Sequence, residues 1–277
     1  MNTPDPEKNN SAYFAPAKPR LPFPKVRSNV PLITPFAWVA AGWQDMRACG
    51  WASLFYGACF TLFGWLLTLA YREALEFLSG LTVGFLLVGP FLAVGLYALS
   101  KQREAGEPIR LLPTLTAWKT TRGAIGIYSV VLIIIYLVWA RASMVIFALF
   151  YDGPGLPSLP ILLAEVAQLK DMEFIATYLI VGGAFAGFVF ALSLVSIPLM
   201  LDLDHDPVTA MIVSVLALQR NLPAAIVWGG TILVLTGFGL LTGFFGLLLT
   251  GPLVGHATWH AYRALVEPPG PHDETNV

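Results

Sequence analysis

Residues 228–263 read WGGTILVLTGFGLLTGFFGLLLTGPLVGHATWHAYR, an almost uninterrupted apolar run that ends in aromatic, histidine and arginine side chains. As one helix, residues 223–264 would be about 60 Å long, twice the roughly 30 Å of a bilayer's hydrocarbon core. Two helices that turn around Gly237–Gly243 fit better. An unbroken apolar run also lacks the alternation of membrane β-barrel strands. The stretch therefore predicts a helical hairpin that crosses a membrane twice.

The composition of the whole chain agrees with a membrane protein. Of its 277 residues, 56% are hydrophobic and 12% are charged, against roughly 25% charged residues in an ordinary soluble domain. The net charge of −1 argues against nucleic-acid binding. The two cysteines, Cys49 and Cys59, would lie about 15 Å apart along a helix, too far for a disulfide, and are interpreted as packing residues.

Six apolar runs are long enough to cross a membrane, since a helix needs about 20 apolar residues to do so. They cover about residues 50–71, 77–99, 124–148, 174–200, 223–242 and 244–264. The predicted fold is an all-α, polytopic bundle of six transmembrane helices, with the integral membrane domain at 36–266. The proline-rich residues 1–35 and residues 267–277 are predicted to be disordered cytoplasmic tails.

The distribution of basic residues predicts the orientation, because cytoplasmic loops are enriched in lysine and arginine. One side carries Lys8, Lys18, Arg20, Lys25, Arg27, Arg47, Lys101, Arg103, Arg110, Lys119, Arg122, Arg220 and Arg263. The other side carries Arg72, Arg141 and Lys170. We therefore expect a bacterial inner-membrane protein with both termini in the cytoplasm.

Three short apolar segments precede the odd-numbered spans, and each opens with proline and reaches an arginine. They are PFAWVAAGWQDMR (35–47), PTLTAWKTTR (113–122) and PVTAMIVSVLALQR (207–220). Being too short to span, they are predicted to be cytoplasmic interfacial helices.

The same pattern predicts a three-fold internal repeat, with units at about 36–103, 113–204 and 207–266. The stretches LLVGPFLAVGLYALSK (86–101) and LLTGPLVGHATWHAYR (248–263) place Pro90 and Pro252 in matching positions, and Pro198 lies at a comparable depth. Each proline is expected to bend its helix near the residue four positions earlier. The alternative is that Gly-Pro pairs are simply common in membrane helices.

Two histidines and the acidic exit of the fourth span form a candidate metal site. His256 and His260 stand at i and i+4 on one helical face, a spacing that suits metal ligands. Asp202, Asp204 and His205 are expected at the same end of the bundle, and imidazoles with carboxylates can bind a divalent metal. The alternative is structural: the histidines act as interfacial anchors beside Trp259 and Tyr262, and LDLDHDP is a helix exit with an N-cap.

Several stretches together resemble a known bacterial family. They are GWQDM (42–46), SLFYG (53–57), GPFLAVGLYALSKQREAGE (89–107), SLVSIPLMLDLDHDPVTAMIVSVLALQRNLPAAIVWG (193–229) and GPLVGHATWHAYR (251–263). The chain resembles, over about residues 28–266, the integral-membrane family called domain of unknown function 2189. Some members carry the label of cytochrome c oxidase subunits. The resemblance implies a membrane location and brings no catalytic residues with it.

These observations predict a non-enzymatic accessory or assembly component, placed by the family's label beside a respiratory oxidase. An oxidase catalytic subunit needs several histidines deep in the membrane, whereas this chain has four, one of them in the C-terminal tail. Two alternatives stay open: a small-solute transporter or channel, suggested by the repeated prolines, and a metal- or haem-binding protein that uses His256 and His260. No cofactor is expected. The expected partners are the lipid bilayer and a membrane protein complex, with no nucleic acid.

Overall fold

A computed structural model describes residues 23–73, 78–150 and 171–267. Helices make up 83% of the structure, and these described ranges contain no strand. Ten helices follow one another within them. They are α1 (Thr34–Cys49), α2 (Trp51–Glu73), α3 (Leu78–Glu104), α4 (Leu111–Thr114), α5 (Trp118–Phe150), α6 (Met172–Ser193), α7 (Ser196–Leu203), α8 (Pro207–Arg220), α9 (Leu222–Leu241) and α10 (Leu247–Leu265). The prediction of an all-α protein is confirmed.

Four stretches of the described chain are long and apolar enough to cross a membrane. They are Trp51–Ala70, Thr121–Phe150, Met172–Leu203 and Leu222–Leu241. These correspond to the first, third, fourth and fifth predicted spans. The predicted second span falls mainly on α3, whose side chains are described only from residue 89, and the sixth falls on α10. Four candidate spans are therefore established, and the count of six remains a proposal.

The α10 helix is the centre of the bundle. It packs against α1, α2, α3, α7 and α9, and ten of its 19 residues are buried. Its second half, GHATWHAYR, replaces aliphatic residues with histidine, tryptophan, tyrosine and arginine, because this part of α10 faces other helices. These residues lower the hydropathy of α10, but the helix still lies in the core of the bundle.

The turn between α9 and α10 separates the two halves of the stretch that opens at residue 228. α9 ends at Leu241, and both Gly243 and Phe244 adopt positive φ, +67° and +70°, which reverses the chain before α10 begins at Leu247. Trp65 of α2 donates its indole N–H to the carbonyl of Gly243 over 2.9 Å. The run is thus two helices, as predicted, although the reversal comes at 242–246 and not at Gly237–Gly243.

The three matched prolines have different local structures. α6 ends at Ser193 and α7 begins at Ser196, so the chain breaks at Leu194–Val195, four residues before Pro198. Ser214 of α8 stabilises this break, because its hydroxyl donates to the carbonyl of Ala191 and accepts from the Val195 amide. Pro90 and Pro252 lie inside the continuous helices α3 and α10. The repeat therefore remains a proposal.

The chain entering α1 is fixed by residues from the far end of the sequence. Lys25 and Arg27 pair their backbones with Leu265 and Glu267 around a bridge of Val26 with Val266. The buried Asn221 side chain accepts from the amide of Val30 and donates to the carbonyl of Arg27. Of the tails predicted at 1–35 and 267–277, residues 1–22 and 268–277 lie outside the part of the chain that the structure describes.

Gly57 offers a test of the contact between α2 and α10. A Cβ at Gly57 would overlap the backbone carbonyl of Leu248, and a backbone atom cannot rotate away. We expect Gly57→Ala to lower the free energy of unfolding by about 1–3 kcal/mol, the usual range for overpacking. The measurement is thermal unfolding of the detergent-purified protein.

The matched control is Gly126→Ala in α5, where an added Cβ meets nothing within 4 Å. This control should leave the melting temperature unchanged or raise it slightly, since alanine favours a helix over glycine. Equal melting temperatures for the two variants would contradict the close contact.

Candidate functional site

Polar side chains from five helices meet at the end of the bundle where α3, α7 and α10 finish. They belong to α1, α2, α3, α7 and α10, and α10 supplies the largest share. The residues are Asp45, Ser53, Ser100, Lys101, Arg103, Glu104, Asp202, His256, Trp259, His260, Tyr262 and Arg263. We call this set the polar cluster.

Asp45 of α1 is the first centre of the polar cluster. Asp45 is only 2% exposed, and it lies in a helix that is otherwise largely apolar. Arg103 pairs with Oδ1, while Ser100 Oγ and His260 Nε2 donate to Oδ2 over 2.6 and 2.9 Å. A buried carboxylate is costly unless charged and hydrogen-bonding partners surround it. The three donors therefore allow α1 to bury this charge against α3 and α10.

His256 lies beside this centre with both ring nitrogens engaged. It is fully buried, with Nδ1 at 2.7 Å from Ser100 Oγ and Nε2 at 2.8 Å from Ser53 Oγ. Ser100 donates its hydrogen to Asp45, so its oxygen must accept the hydrogen of His256 Nδ1. In the neutral ring Nε2 then accepts from Ser53, which gives the order Ser53, His256, Ser100, Asp45 from donor to final acceptor.

Asp202 of α7 is the second centre. Its two oxygens receive Lys101 Nζ, Arg263 NH1 and the Tyr262 hydroxyl, each over 2.8 Å. Arg263 also reaches Glu104, whose other donor is the indole of Trp259, and it stacks 4.9 Å above that ring. The arginine thus joins two carboxylates and an aromatic face, a geometry that suits its planar group.

The five residues predicted as metal ligands divide among separate environments. His256 contacts Ser53 and Ser100, and His260 contacts Asp45. Asp202 receives Lys101, Tyr262 and Arg263. In residues 23–73, 78–150 and 171–267, no group of three or more His, Cys, Asp or Glu side chains is placed to hold a metal ion. Metal binding by these five residues remains a prediction from the sequence, and their contacts in the structure give it no further support.

Asp204 and His205 form the connection between α7 and α8. Asp204 ends α7 in the left-handed conformation, and the following His205 is mostly buried. Burial lowers the pKa of His205, against the opposing effect of the Asp206 and Asp204 carboxylates. Asp206 accepts from the amides of Val208 and Thr209, and hydrogen bonding to Thr209 lowers its pKa. LDLDHDP is thus a helix exit followed by an N-cap, the structural alternative that its sequence offers.

Sequence reasoning did not single out Asp45, Ser53, Ser100, Arg103 or Glu104 as site residues. Two signals were present: Asp45 is the sole ionisable residue before Arg47 in the apolar α1, and Ser100, Arg103 and Glu104 close α3 on successive turns. Neither signal identifies a partner, because the partners come from helices distant in sequence.

The fold and the polar cluster define a multi-helical membrane protein in which the ion pairs of the polar cluster lie at one end of the bundle. Residues 77–202 match the model of a family described as predicted integral membrane protein (DUF2189), which confirms the resemblance over that range. No curated protein and no solved structure matches the chain. The family description supplies a membrane location and leaves the activity open.

Removing the carboxylate of Asp45 should destabilise the protein strongly. Asp45→Ala leaves Arg103 without its counter-charge beside a buried region, and loss of one member of a buried pair typically costs about 3–5 kcal/mol. Arg103 is partly exposed, so we expect the lower end of this range. The measurement is thermal unfolding in detergent, with the exposed Glu107→Ala as control. A melting temperature equal to that of Glu107→Ala would contradict the role of Asp45.

Cys49, next to Ser53 in the polar cluster, should be chemically silent. Burial raises the pKa of its thiol to about 11, against a smaller opposing effect of the Ser53 hydrogen bond. At pH 7 only about one thiol in ten thousand would be ionised, and alkylation needs the thiolate. In a Cys59→Ser variant, N-ethylmaleimide should therefore modify the unfolded protein and spare the native one. Rapid modification of the native protein at pH 7 would disprove this environment.

Proposed function

We propose that the chain is a non-enzymatic accessory or assembly component of the bacterial inner membrane, placed beside a membrane complex such as a respiratory oxidase. The observation that carries the proposal is that the charged side chains of the polar cluster are paired with one another. Asp45, Glu104 and Asp202 each receive a cation from Arg103, Arg263 or Lys101. Groups arranged in this way bind one another and hold helices in register.

An active site needs a reactive group that can approach a substrate. His256 has both nitrogens in hydrogen bonds, and its partner Ser53 is fully buried. The same contacts link α1 and α2 to α3 and α10. This arrangement supports a scaffold better than a catalyst.

The proposed placement has six spans, with α3 and α10 added to the four candidate spans. α1 and α8 lie at the cytoplasmic interface, as does the segment 113–122, which is divided between the short α4 and the first turn of α5 and is not one helix. Large apolar side chains on these helices support this placement, since Phe36, Leu112 and Val208 are each more than half exposed. Lys101, Arg103 and Arg263 cluster at the same end, which the positive-inside rule assigns to the cytoplasm.

A transporter is the second candidate, favoured by one observation. The candidate span Met172–Leu203 is broken at Leu194–Val195. Broken helices in membrane transporters expose backbone groups to substrates. Here the hydroxyls of Ser214 and Ser196 form hydrogen bonds with several of the backbone groups around the break. These groups are then not free to bind a substrate, which weakens the transporter hypothesis.

Co-purification tests the accessory role. The tagged chain is solubilised from native membranes in a mild detergent and separated by native electrophoresis, with quantitative mass spectrometry of each band. We expect comigration with one membrane complex in a fixed ratio, retained by Glu107→Ala. Migration alone in several detergents, together with solute flux in vesicles of the purified protein, would favour the transporter. A haem absorption band or bound metal would favour the third alternative.

Reporter fusions test the orientation. Fusions after residues 30, 110, 210 and 270 should be active in the cytoplasm, and fusions near residues 73 and 160 should be active in the periplasm. The basis is the excess of lysine and arginine on the side of the termini. A periplasmic C-terminus would mean that α9 and α10 do not both cross the membrane.

A further inference from the structure

A cavity of about 370 Å³ lies between the segment that enters α1 and the end of α8. Its walls are formed by Phe23, Pro24, Lys25, Val26, Leu216 and Arg220. The volume falls within the usual range of small-molecule sites, roughly 300–1,000 Å³. Two of the six side chains are cations and the other four are apolar. We call this the basic cavity, because it offers positive charge beside a hydrophobic wall.

The start of α9 fixes the depth of the basic cavity in the bilayer. The candidate span Leu222–Leu241 begins two residues after Arg220. Its 20 residues measure about 30 Å, the thickness of the hydrocarbon core, so the span has no excess length that would move Arg220 away from the hydrocarbon edge. The headgroup region continues for about 5–7 Å beyond that edge. Arg220, and with it the cavity that it lines, therefore lies at the level of the lipid headgroups.

Both cations belong to backbone that is held in place. Arg220 NH1 donates to the carbonyl of Val26 over 3.1 Å, and the carbonyl of Arg220 accepts from the amide of Asn29. The carbonyl of Lys25 accepts from the amide of Glu267, which attaches this segment to the end of α10. Within the described chain, the Arg220 guanidinium donates through NH1 alone, and its remaining N–H groups can bind a further acceptor.

The charges around the basic cavity favour an anion. The surrounding residues 23–30, 216–221 and 265–267 contain three bases, Lys25, Arg27 and Arg220, and one acid, Glu267. A guanidinium donates to two phosphate oxygens at once, and an ammonium binds phosphate as a point charge. A headgroup with its own ammonium would bring a like charge to Lys25 and Arg220. A headgroup with a net negative charge is therefore the better complement.

We propose that the basic cavity binds the headgroup of an anionic phospholipid. Lys25 and Arg220 contact the phosphate oxygens, and Phe23 and Leu216 cover the glycerol and the first carbons of the acyl chains. Phe23 is 53% exposed, and an aromatic ring at headgroup level is typical of membrane interfaces. A free phosphate ion offers the same oxygens but has no apolar part to match the apolar wall. The lipid matches both halves of the cavity.

Native mass spectrometry of the full chain in detergent measures this binding. The probes are phosphatidylglycerol and phosphatidylcholine with identical acyl chains, one anionic and the other zwitterionic. We expect wild type to bind the first phosphatidylglycerol at least fivefold more tightly than phosphatidylcholine. A cation close to anionic lipid contributes about fivefold to affinity. Lys25→Gln should therefore weaken phosphatidylglycerol binding about fivefold, and Lys25→Gln with Arg220→Gln at least tenfold. Equal affinities of wild type for the two lipids would overturn the proposal.

Two further variants separate a built site from general attraction to a basic surface. Arg47→Gln removes an exposed cation of α1 that does not line the cavity, and it should change the affinity less than twofold. Leu216→Trp keeps both cations but fills part of the cavity, and it should weaken binding at least fivefold. Thermal unfolding checks that each variant is folded, and Lys25→Gln with Leu216→Trp suffices if Arg220→Gln is not. Equal effects of Arg47→Gln and Lys25→Gln, or full binding by Leu216→Trp, would overturn the site.

Competition identifies the source of the phosphate. Inorganic phosphate or glycerol 3-phosphate is added as an ammonium salt in large excess over the lipid. We expect the affinity for phosphatidylglycerol to change less than twofold, because neither competitor has an apolar part. Displacement of the lipid by either competitor would overturn the lipid as the ligand and assign the basic cavity to a soluble phosphate.

Discussion

The burial of the Asp45 carboxylate is the constraint on which the architecture of the bundle depends. An ionised group in a region of low dielectric is tolerated only when donors surround it. Its donors come from α3 and α10, which are separated by more than 140 residues of sequence. α1 must therefore contact both α3 and α10 before the charge can be buried. This requirement agrees with the central position of α10, the last helix of the described residues.

The stretches that carry the family resemblance meet at this point. GWQDM contains Asp45, SLFYG contains Ser53, LSKQRE contains Ser100 and Arg103, and GHATWHAYR contains both histidines. Scattered along the chain, these motifs have no evident common purpose. In the structure these polar residues form hydrogen bonds with one another in the polar cluster.

The helices were more predictable from sequence than the site. Long apolar runs set the positions of α2, α5, α6 and α9, because the requirement to cross hydrocarbon is local. The partners of His256 and His260 depend on which helices are neighbours, and no local pattern in the sequence reveals this. The sequence places Asp202 and His260 at the same end of the bundle. Since α1 lies against α10, however, Asp45 is the acid that His260 contacts, and Asp202 receives Arg263. The N-cap at Asp206 is a local feature, and LDLDHDP indicates a cap in this segment as the alternative to a metal site.

The pairing of Lys25 and Arg27 with Leu265 and Glu267 brings the two ends of the described chain within hydrogen-bonding distance. The described chain thus returns at residues 265–267 to the place where it starts at residues 25–27, and this junction lies outside the helices α1 to α10, apart from Leu265. Chain ends that lie this close together are typical of domains that tolerate circular permutation, provided that every helix keeps its neighbours. A circularly permuted gene that joins these ends and begins in another loop would encode the same set of helix contacts.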